Sequence, residues 1–165
     1  MKKTICAVIV TFNRKELLLN CLNALKQQTH TLDHIVVIDN ASSDGTTDFL
    51  LKNNWKNNDY FTYISLPKNQ GGAGGFYEGI KYAIAQEFDY VWLMDDDGFP
   101  SKNCLEKLLP YTSEDCYIGP MVLDYETQNT LSFSMRLSGT SQVFDFYDDV
   151  KACFKEEDII QNVIL

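Results

Sequence analysis

The sequence predicts an α/β protein, a three-layer α/β/α sandwich whose central sheet is mostly parallel. Short apolar segments alternate along the chain with segments of helical periodicity. Strands separated by helices form βαβ units, which favour parallel pairing with helices on both faces of the sheet. The length of 165 residues is that of one domain with its own core. We therefore expect residues 1–165 to form a single domain.

Five segments have the length and the β-branched, aromatic composition of buried strands. They are residues 4–11 (TICAVIVT), 35–38 (IVVI), 60–66 (YFTYISL), 90–94 (YVWLM) and 117–123 (YIGPMVL). After about Asp124 the pattern weakens, and we expect hairpin-like strands within residues 131–144. Residues 159–165 resemble the start of another buried strand, so we expect the domain to be truncated at its C-terminus.

Helices are predicted between these strands. Asn13 and the glutamate three residues later have the spacing of a capping box, ahead of leucines that recur on one helical face. Either Ser43 or Asp44 is expected to cap the second helix. The glycine run at residues 71–75 leads into a third helix, and Ser101 is expected to cap a fourth.

Charge and hydropathy limit the partners that this chain can have. The net charge of −9 argues against nucleic acid, because a phosphate backbone needs a basic face. No apolar stretch approaches the roughly 18–20 residues of a membrane span, so we predict a cytoplasmic protein without a transmembrane segment. An anionic ligand would need a cation, a helix N-terminus or a local basic residue to hold it.

Polar residues follow the first four predicted strands. In a doubly wound sheet, ligands bind beyond the carboxyl ends of the strands. The four clusters are Thr11–Arg14, Asp39–Gly45, Pro67–Gly75 and Asp95–Gly98. Because they converge on one edge of the predicted sheet, they predict a ligand site there.

The triple aspartate at residues 95–97 points to a metal ion. Adjacent carboxylates repel one another, and a divalent cation relieves that repulsion. Mg²⁺ and Mn²⁺ prefer oxygen ligands, and Mg²⁺ is often held by one or two carboxylates plus substrate phosphates. In an extended segment Asp95 and Asp97 point the same way, so we predict that both bind the ion. The alternative is a solvated acidic turn before Pro100.

Two further features remain open on the residues alone. The glycines at 71–75 favour either close approach of a ligand or tight helix–sheet contact. They do not fit the GxGxxG fingerprint, because Tyr77 stands where the last glycine should be, and they do not fit the P-loop. Asp39 ends a buried strand, where its carboxylate can accept a hydrogen bond from a ring N–H or a ribose hydroxyl.

The motifs VIVTFNR, VVIDNASSDGT, LPKNQGGAGGF and WLMDDDG, in this order, resemble the inverting glycosyltransferases of family two, which adopt the GT-A fold. The resemblance covers roughly residues 4–123 and is nearest the galactofuranosyl- and rhamnosyltransferase branch. It implies transfer of a sugar from a UDP- or dTDP-linked donor to a saccharide or lipid-linked acceptor in cell-surface polysaccharide synthesis. It also implies dependence on Mg²⁺ or Mn²⁺, and a lipid-linked acceptor would place the protein peripherally at the inner face of the membrane.

The same resemblance implies roles for individual residues. Asp39 would bind the base, and Arg14 would lie near the phosphates. Asp95 and Asp96 would address the ribose or the sugar, and Asp97 would bind the metal that holds the diphosphate. The general base lies downstream in the family, and nothing after Asp124 matches it; the acidic residues 156–158 are more typical of a charged helix face. The implied nucleotide-sugar-binding residues are Thr11, Phe12, Asn13, Arg14, Asp39, Asn40, Ser42, Asn69, Gly71, Gly72, Gly74, Asp95 and Asp96.

Two rival functions stay open at this point. An apolar strand followed by DxDG also occurs in haloacid-dehalogenase-type phosphatases, in which Asp95 would be the nucleophile and Asp97 the acid/base. Phe99 follows here where that group has Thr or Val, and no downstream lysine and acidic pair is convincing. The other rival is a donor-binding module that lacks catalysis.

Overall fold

The computed structural model describes residues 3–113, 117–136 and 140–154. Contacts divide the chain into two compact units, Met1–Asn103 and Cys104–Leu165. The first unit contains a four-stranded parallel sheet, and the second contains an antiparallel pair of strands. The predicted α/β class with a parallel central sheet is therefore confirmed.

The sheet of the first unit has the strand order β3-β2-β1-β4. Its strands are β1 (Ile5–Thr11), β2 (His34–Asp39), β3 (Phe61–Ser65) and β4 (Tyr90–Asp95). The connecting helices are α1 (Lys15–Lys26), α2 (Thr46–Lys52) and α3 (Gly71–Ala85). All four strands lie within two residues of their predicted bounds. Among the described residues, no helix has the length and apolar character needed to cross a membrane.

Strand β1 is the centre of this unit. All seven of its residues are buried, and it pairs with β2 on one side and β4 on the other. The chain runs from β1 outwards through β2 to β3, and then returns to place β4 on the opposite side of β1. The strand order thus reverses between β1 and β4, whose carboxyl ends flank the topological switch point where such sheets bind ligands.

Helices cover both faces of the sheet. On one face α3 lies so close to β1 that a Cβ atom at Gly79 would stand 2.2 Å from Val8 Cγ1, and one at Gly75 would stand 2.6 Å from Val10 Cγ1. On the other face Cys21 Sγ of α1 lies 3.7 Å from Met94 Sδ of β4. The glycine run does not precede α3 but forms its first turn, and its last member, Gly75, serves helix–sheet contact.

Two predicted helix caps and one predicted strand are wrong. The N-cap residue of α1 is Arg14, without a side-chain cap bond, because the Asn13 side chain bonds a neighbouring loop instead. Ser101 lies three residues before its helix, and its hydroxyl bonds Asn103. Residues 117–123 form only an isolated bridge at Leu123, since the Gly-Pro pair inside this segment weakens a strand and removes an N–H donor.

The second unit has its own small core. Its helices are α4 (Cys104–Leu108), followed by a 3₁₀ turn (Leu109–Tyr111), and α5 (Tyr147–Cys153). Strands β5 (Thr130–Arg136) and β6 (Val143–Phe146) pair antiparallel, which confirms the predicted hairpin-like strands. The strand expected at residues 159–165 and the acidic residues 156–158 lie outside the described residues. The buried members of the core are Leu131, Met135, Phe144 and Val150.

The close approach of α3 to β1 predicts a stability difference between two glycines of the same helix. Gly79→Ala should lower the free energy of unfolding by roughly 2 kcal/mol, because the added methyl group overlaps the buried Val8. Gly72→Ala is the matched control, since nothing lies within 4 Å of a Cβ at that position. Urea titration of both variants measures the difference, and equal unfolding free energies would contradict the described helix–sheet contact.

His34 forms a polar cluster at the start of β2. Its Nε2 atom lies 3.0 Å from Thr62 Oγ1 and 3.1 Å from Tyr82 Oη, and its ring stacks on that of Tyr82. Desolvation lowers the pKa of the His34 imidazole below its ordinary value. Between the folded and unfolded pKa values, the unfolded chain holds a proton that the folded chain does not. Stability is therefore lost as the pH falls below about 6.5.

This imidazole predicts part of the acid sensitivity of the fold. Between pH 7.5 and 5.5 the wild-type midpoint of thermal unfolding should fall further than that of His34→Gln, which has no imidazole to protonate. His30 lies outside the cluster, so the unfolding midpoint of His30→Gln should fall as far as that of the wild type. Thermal unfolding at the two pH values tests this, and the idea fails if all three proteins lose the same stability.

Candidate active site

A buried carboxylate joins the two strands that flank the switch point. Asp96, the residue after β4, is only 3% exposed. Its Oδ2 atom accepts a hydrogen bond from the hydroxyl of Thr11, the last residue of β1, at 2.7 Å. Its Oδ1 atom accepts one from Nη1 of Arg14 at 3.3 Å. A charge at this depth is tolerated only when it is paired and hydrogen-bonded, and these two partners supply both conditions.

The Arg14 side chain reaches from the buried Asp96 towards solvent. The same Nη1 atom lies 3.0 Å from Oδ2 of Asp97, whose side chain is 53% exposed. Exposed ion pairs contribute little to stability, because water competes with both partners. The contact between Arg14 and Asp97 can therefore be exchanged for a contact with a charged ligand at low cost, while the bond of the same Nη1 atom to Asp96 remains.

Asp95 completes the triple aspartate at the end of β4. Desolvation, together with repulsion from Asp97 and Asp96, raises the pKa of the Asp95 carboxyl above its ordinary value, and Arg14 opposes that shift. The strand ends at Asp95, so Asp97 lies in the following turn and the strand alternation that predicted a shared direction does not reach it. A cation placed here would relieve the repulsion among the three carboxylates.

The donor set at this strand end fits a divalent cation that a ligand helps to hold. Within residues 3–113, 117–136 and 140–154, no three His, Cys, Asp or Glu side chains converge as a complete metal cage. Mg²⁺ commonly takes one or two carboxylates and completes its shell with substrate phosphates and water. Asp95 and Asp97 are exposed carboxylates, and Arg14 pairs with Asp97, so these side chains could supply the protein's part of such a shell.

The loops after β1 and β2 are bonded to each other. The Asn13 N–H donates to Ser42 Oγ at 2.8 Å, and the Ser43 N–H donates to Asn13 Oδ1 at 2.7 Å. Asn13 has a φ of 55°, a left-handed conformation that asparagine tolerates better than most residues. Its side chain thus ties two loops together, which is why it does not cap α1.

Asp44 fixes the starts of two helices at once. Its carboxylate accepts hydrogen bonds from the N–H and hydroxyl of Thr46 in α2, and from the Lys15 N–H in α1 at 3.2 Å. Burial raises the pKa of Asp44, but these hydrogen bonds outweigh it and leave the pKa below its ordinary value. Asp44 thus bonds the first residue of α2, but it does so from one residue ahead of the N-cap position, which is Gly45 and not Ser43 or Asp44 as predicted.

Asp39 is the second buried carboxylate of the site, at 2% exposure. Its Oδ1 atom accepts a hydrogen bond from the Ser42 N–H at 2.9 Å, and its Oδ2 atom accepts one from the Tyr63 hydroxyl of β3. Each carboxylate oxygen has two lone pairs, so both oxygens retain acceptor capacity after these bonds. Asp39 joins the carboxyl end of β2 to β3 and to its own loop.

The start of α3 is held by two asparagines. Asn40 is 2% exposed; its amide accepts from the Gln70 N–H at 3.3 Å and donates to the Gly71 carbonyl at 3.0 Å. Asn69 Oδ1 accepts from the Gly71 N–H at 2.7 Å. The first turn of α3 contains no acidic residue, and nothing lies within 4 Å of a Cβ built at Gly71 or Gly72. This open N-terminus presents the positive end of the helix.

The predicted residues fall into three bonded groups. Thr11 and Arg14 join Asp96 and Asp97; Asn13 and Ser42 join Asp39; Asn40 and Asn69 join Gly71. Four predicted residues lie outside these groups. The side chains of Phe12 and Asp95 are exposed, nothing lies within 4 Å of a Cβ built at Gly72, and the atoms nearest to a Cβ at Gly74 belong to the side chain of Gln70.

Sequence reasoning missed Tyr63, which bonds Asp39. The signal that could have found it is the two-residue period of β3. Tyr63 pairs with Val37 of β2, two residues before Asp39, and therefore lies on the same face of the sheet as that carboxylate.

Known proteins resemble this chain in both sequence and fold. Galactofuranosyltransferase GlfT1 from Mycolicibacterium smegmatis is 33% identical over 137 residues, which cover 81% of this chain and 44% of GlfT1. The chain thus spans less than half the length of the curated relatives that it matches.

Two crystal structures carry the same fold. The mannosyltransferase PcManGT from Pyrobaculum calidifontis, in complex with GDP-Man and Mn²⁺, matches with a TM-score of 0.62 and 20% identity, over 72% of this chain and 34% of its own. S. aureus TarS 1–349, in complex with UDP, matches with a TM-score of 0.56 and 22% identity, over 66% of this chain and 31% of its own. The predicted GT-A fold is confirmed.

The family match covers most of the chain. Residues 6–160 match the family described as Glycosyl transferase family 2. This range includes β1 from its second residue, β2 to β4, and all of the polar clusters that follow these strands. The GlfT1 similarity extends over four-fifths of the sequence and points to the same family. The chain belongs to glycosyl transferase family 2.

Proposed function

We propose that this chain is the nucleotide-sugar-binding region of a metal-dependent, inverting glycosyltransferase. The observation that carries the proposal is the buried Asp96 between Thr11 and Arg14, with exposed Asp95 and Asp97 on either side of it. It stands at the switch point of the sheet, where a cation and a diphosphate can meet. The UDP in the TarS complex and the GDP-Man with Mn²⁺ in the PcManGT complex support a nucleotide-sugar ligand of this class.

The diphosphate of the donor would lie between Arg14 and the triple aspartate. Asp97 and Asp95 would hold Mg²⁺ or Mn²⁺, which acts as a Lewis acid on the leaving nucleoside diphosphate. Arg14 would exchange its exposed contact with Asp97 for a phosphate oxygen while keeping its contact with Asp96. The N-terminus of α3 adds the positive end of a helix dipole, which favours a negatively charged ligand, although the Gly71 N–H is already bonded to Asn69.

The nucleoside would extend from this point along the loops after β1 and β2. Asp39 would accept a hydrogen bond from the base, which favours a UDP- or dTDP-linked donor. Phe12, Asn13 and Ser42 would line the nucleoside pocket, while Asn40 and Asn69 would act by holding the start of α3. Asp95 and Asp96 would address the ribose or the sugar. Gly74 lies against the Gln70 side chain, so we assign it no contact with the donor.

Sugar transfer itself requires attack by an acceptor hydroxyl on the anomeric carbon, from the face opposite the leaving diphosphate, with a general base to take its proton. We assign no general base among the described residues. The GlfT1 similarity supports a hexosyl transfer to a saccharide or lipid-linked acceptor in cell-surface polysaccharide synthesis. With a lipid-linked acceptor the protein would work peripherally at the cytoplasmic face of the membrane.

The two rival functions make different demands on the triple aspartate. A phosphatase with Asp95 as nucleophile gives no part to Asp96, yet Asp96 is the carboxylate that is buried and bonded. It also leaves the Asp39 loop without a purpose. A donor-binding module without catalysis uses the same site in the same way, and only an assay of transfer separates it from an enzyme.

Calorimetric titration of UDP in the presence of Mn²⁺ tests the site. The wild type should bind UDP, and chelation of the metal should weaken binding about tenfold or more, because the ion links the carboxylates to the diphosphate. Asp97→Ala should show the same loss even with Mn²⁺ present. Asp59→Ala, which removes an exposed carboxylate ahead of β3, is the matched control and should bind as the wild type does.

Activity assays separate the proposed enzyme from its rivals. Incubation with UDP-sugars and saccharide acceptors should give a metal-dependent transfer product whose anomeric configuration is inverted. Release of phosphate from phosphomonoesters, abolished by Asp95→Asn, would instead establish the phosphatase. If the wild type binds UDP but transfers no sugar, this chain is a donor-binding module without catalysis.

A further inference from the structure

We propose that Tyr63 is a positioning residue for recognition of the nucleobase. Its hydroxyl fixes the orientation of the Asp39 carboxylate, so that the free lone pairs of the two oxygens point in set directions towards the base. The inference rests on the proposed function and deepens it, because it assigns the choice between bases to a pair of side chains on neighbouring strands.

Tyr63 is held on several sides. Its hydroxyl donates to Asp39 Oδ2. Thr47 Oγ1 of α2 lies 3.0 Å from the same phenolic oxygen, and since the Tyr63 proton is given to Asp39, Thr47 acts as the donor in that contact. Lys56 Nζ stands 4.7 Å from the centroid of the Tyr63 ring. A phenol fixed in this way offers its proton in one direction only.

Asp39 is constrained by a second donor on its other oxygen. The Ser42 N–H bonds Oδ1, so the two oxygens are fixed by donors from β3 and from the loop after β2. At 2% exposure the carboxylate has no freedom to turn towards bulk water. Burial and the bond to Asp39 raise the pKa of the Tyr63 phenol further above its ordinary value, which already lies well above neutral, so the phenol is a donor. The remaining lone pairs of the Asp39 carboxylate are acceptors.

A carboxylate that can only accept discriminates between pyrimidines. Uracil and thymine carry a ring N–H between two carbonyl groups, and this N–H can donate to Asp39. Cytosine presents a ring nitrogen lone pair at the same position, which repels the carboxylate and leaves it unpaired. Sites built to bond a substrate N–H strongly reject analogues that lack it, because their buried polar group loses its partner. Tyr63 contributes to this selectivity without touching the ligand.

Titration of UDP and CDP, both with Mn²⁺, tests the role of Tyr63. The wild type should bind UDP more tightly than CDP. Tyr63→Phe should weaken UDP binding about fivefold to tenfold and leave CDP binding unchanged, so that the ratio of the two affinities falls. Tyr82→Phe is the matched control, because it removes a hydrogen-bonded tyrosine hydroxyl from the cluster around His34 and should keep the wild-type ratio.

The outcomes distinguish this inference from the proposed function. If the wild type binds UDP and CDP equally, or if Tyr63→Phe keeps the wild-type ratio, the role of Tyr63 is overturned while the donor site stands. Equal weakening of both nucleotides also overturns it, since that result marks a general loss of structure. If the wild type binds no nucleoside diphosphate, the proposed function fails and the inference falls with it.

A second variant covers the case in which Tyr63→Phe does not fold. Thr47→Val leaves Tyr63 in place and removes the hydroxyl that supports it. Like Tyr63→Phe, it should lower the ratio of UDP to CDP affinity, here by about twofold to fivefold, because the lost hydrogen bond acts on Asp39 only through Tyr63. A wild-type ratio in a folded Thr47→Val protein would then overturn the assignment.

Discussion

The buried carboxylate of Asp96 is the constraint on which the rest of the site depends. A strand order that reverses between β1 and β4 leaves a crevice at their carboxyl ends, and Asp96 lies at that crevice with almost no contact with water. Its charge must be compensated from within the chain. Thr11 brings the end of β1 to it, and Arg14 brings the start of α1. The position of the guanidinium, and hence of any phosphate that it binds, follows from this requirement.

The polar residues around Asp96 have a structural role, because they hold loops and the starts of helices in place. Asn13 holds the loop after β2, Asp44 holds the starts of α1 and α2, and Asn40 holds the start of α3. Asn, Asp, Ser and Gly are common in turns because they bond nearby backbone groups. Asn13, Asp44 and Asn40 also bond groups on other loops, so that hydrogen bonds join the loop after β1 to the loop after β2, and the end of β2 to the start of α3.

The strands were predictable because β1 to β4 belong to a parallel sheet with helices on both faces. Strands in such sheets are short, continuous apolar segments, which can be recognised in the sequence. The clusters at their carboxyl ends were predictable for the same reason. The hydrogen-bond partners of these residues were harder to predict. Nothing near Asn13 in sequence indicates that Ser43 bonds its side chain, and the alternation of β3 places Tyr63 on the face of Asp39 only once the register of β2 and β3 is known. The false strand at residues 117–123 shows the converse, since its composition suited a strand while its Gly-Pro pair did not.

The cross-bonded loops also determine how a ligand would be received. Ordering a flexible segment on binding costs conformational entropy for each residue that is fixed, and this cost is subtracted from affinity. In this unit, folding has already ordered these segments. Hydrogen bonds join the loops after β1 and β2, and Asn40 bonds the start of α3. A ligand bound between these loops would therefore lose little affinity to their ordering.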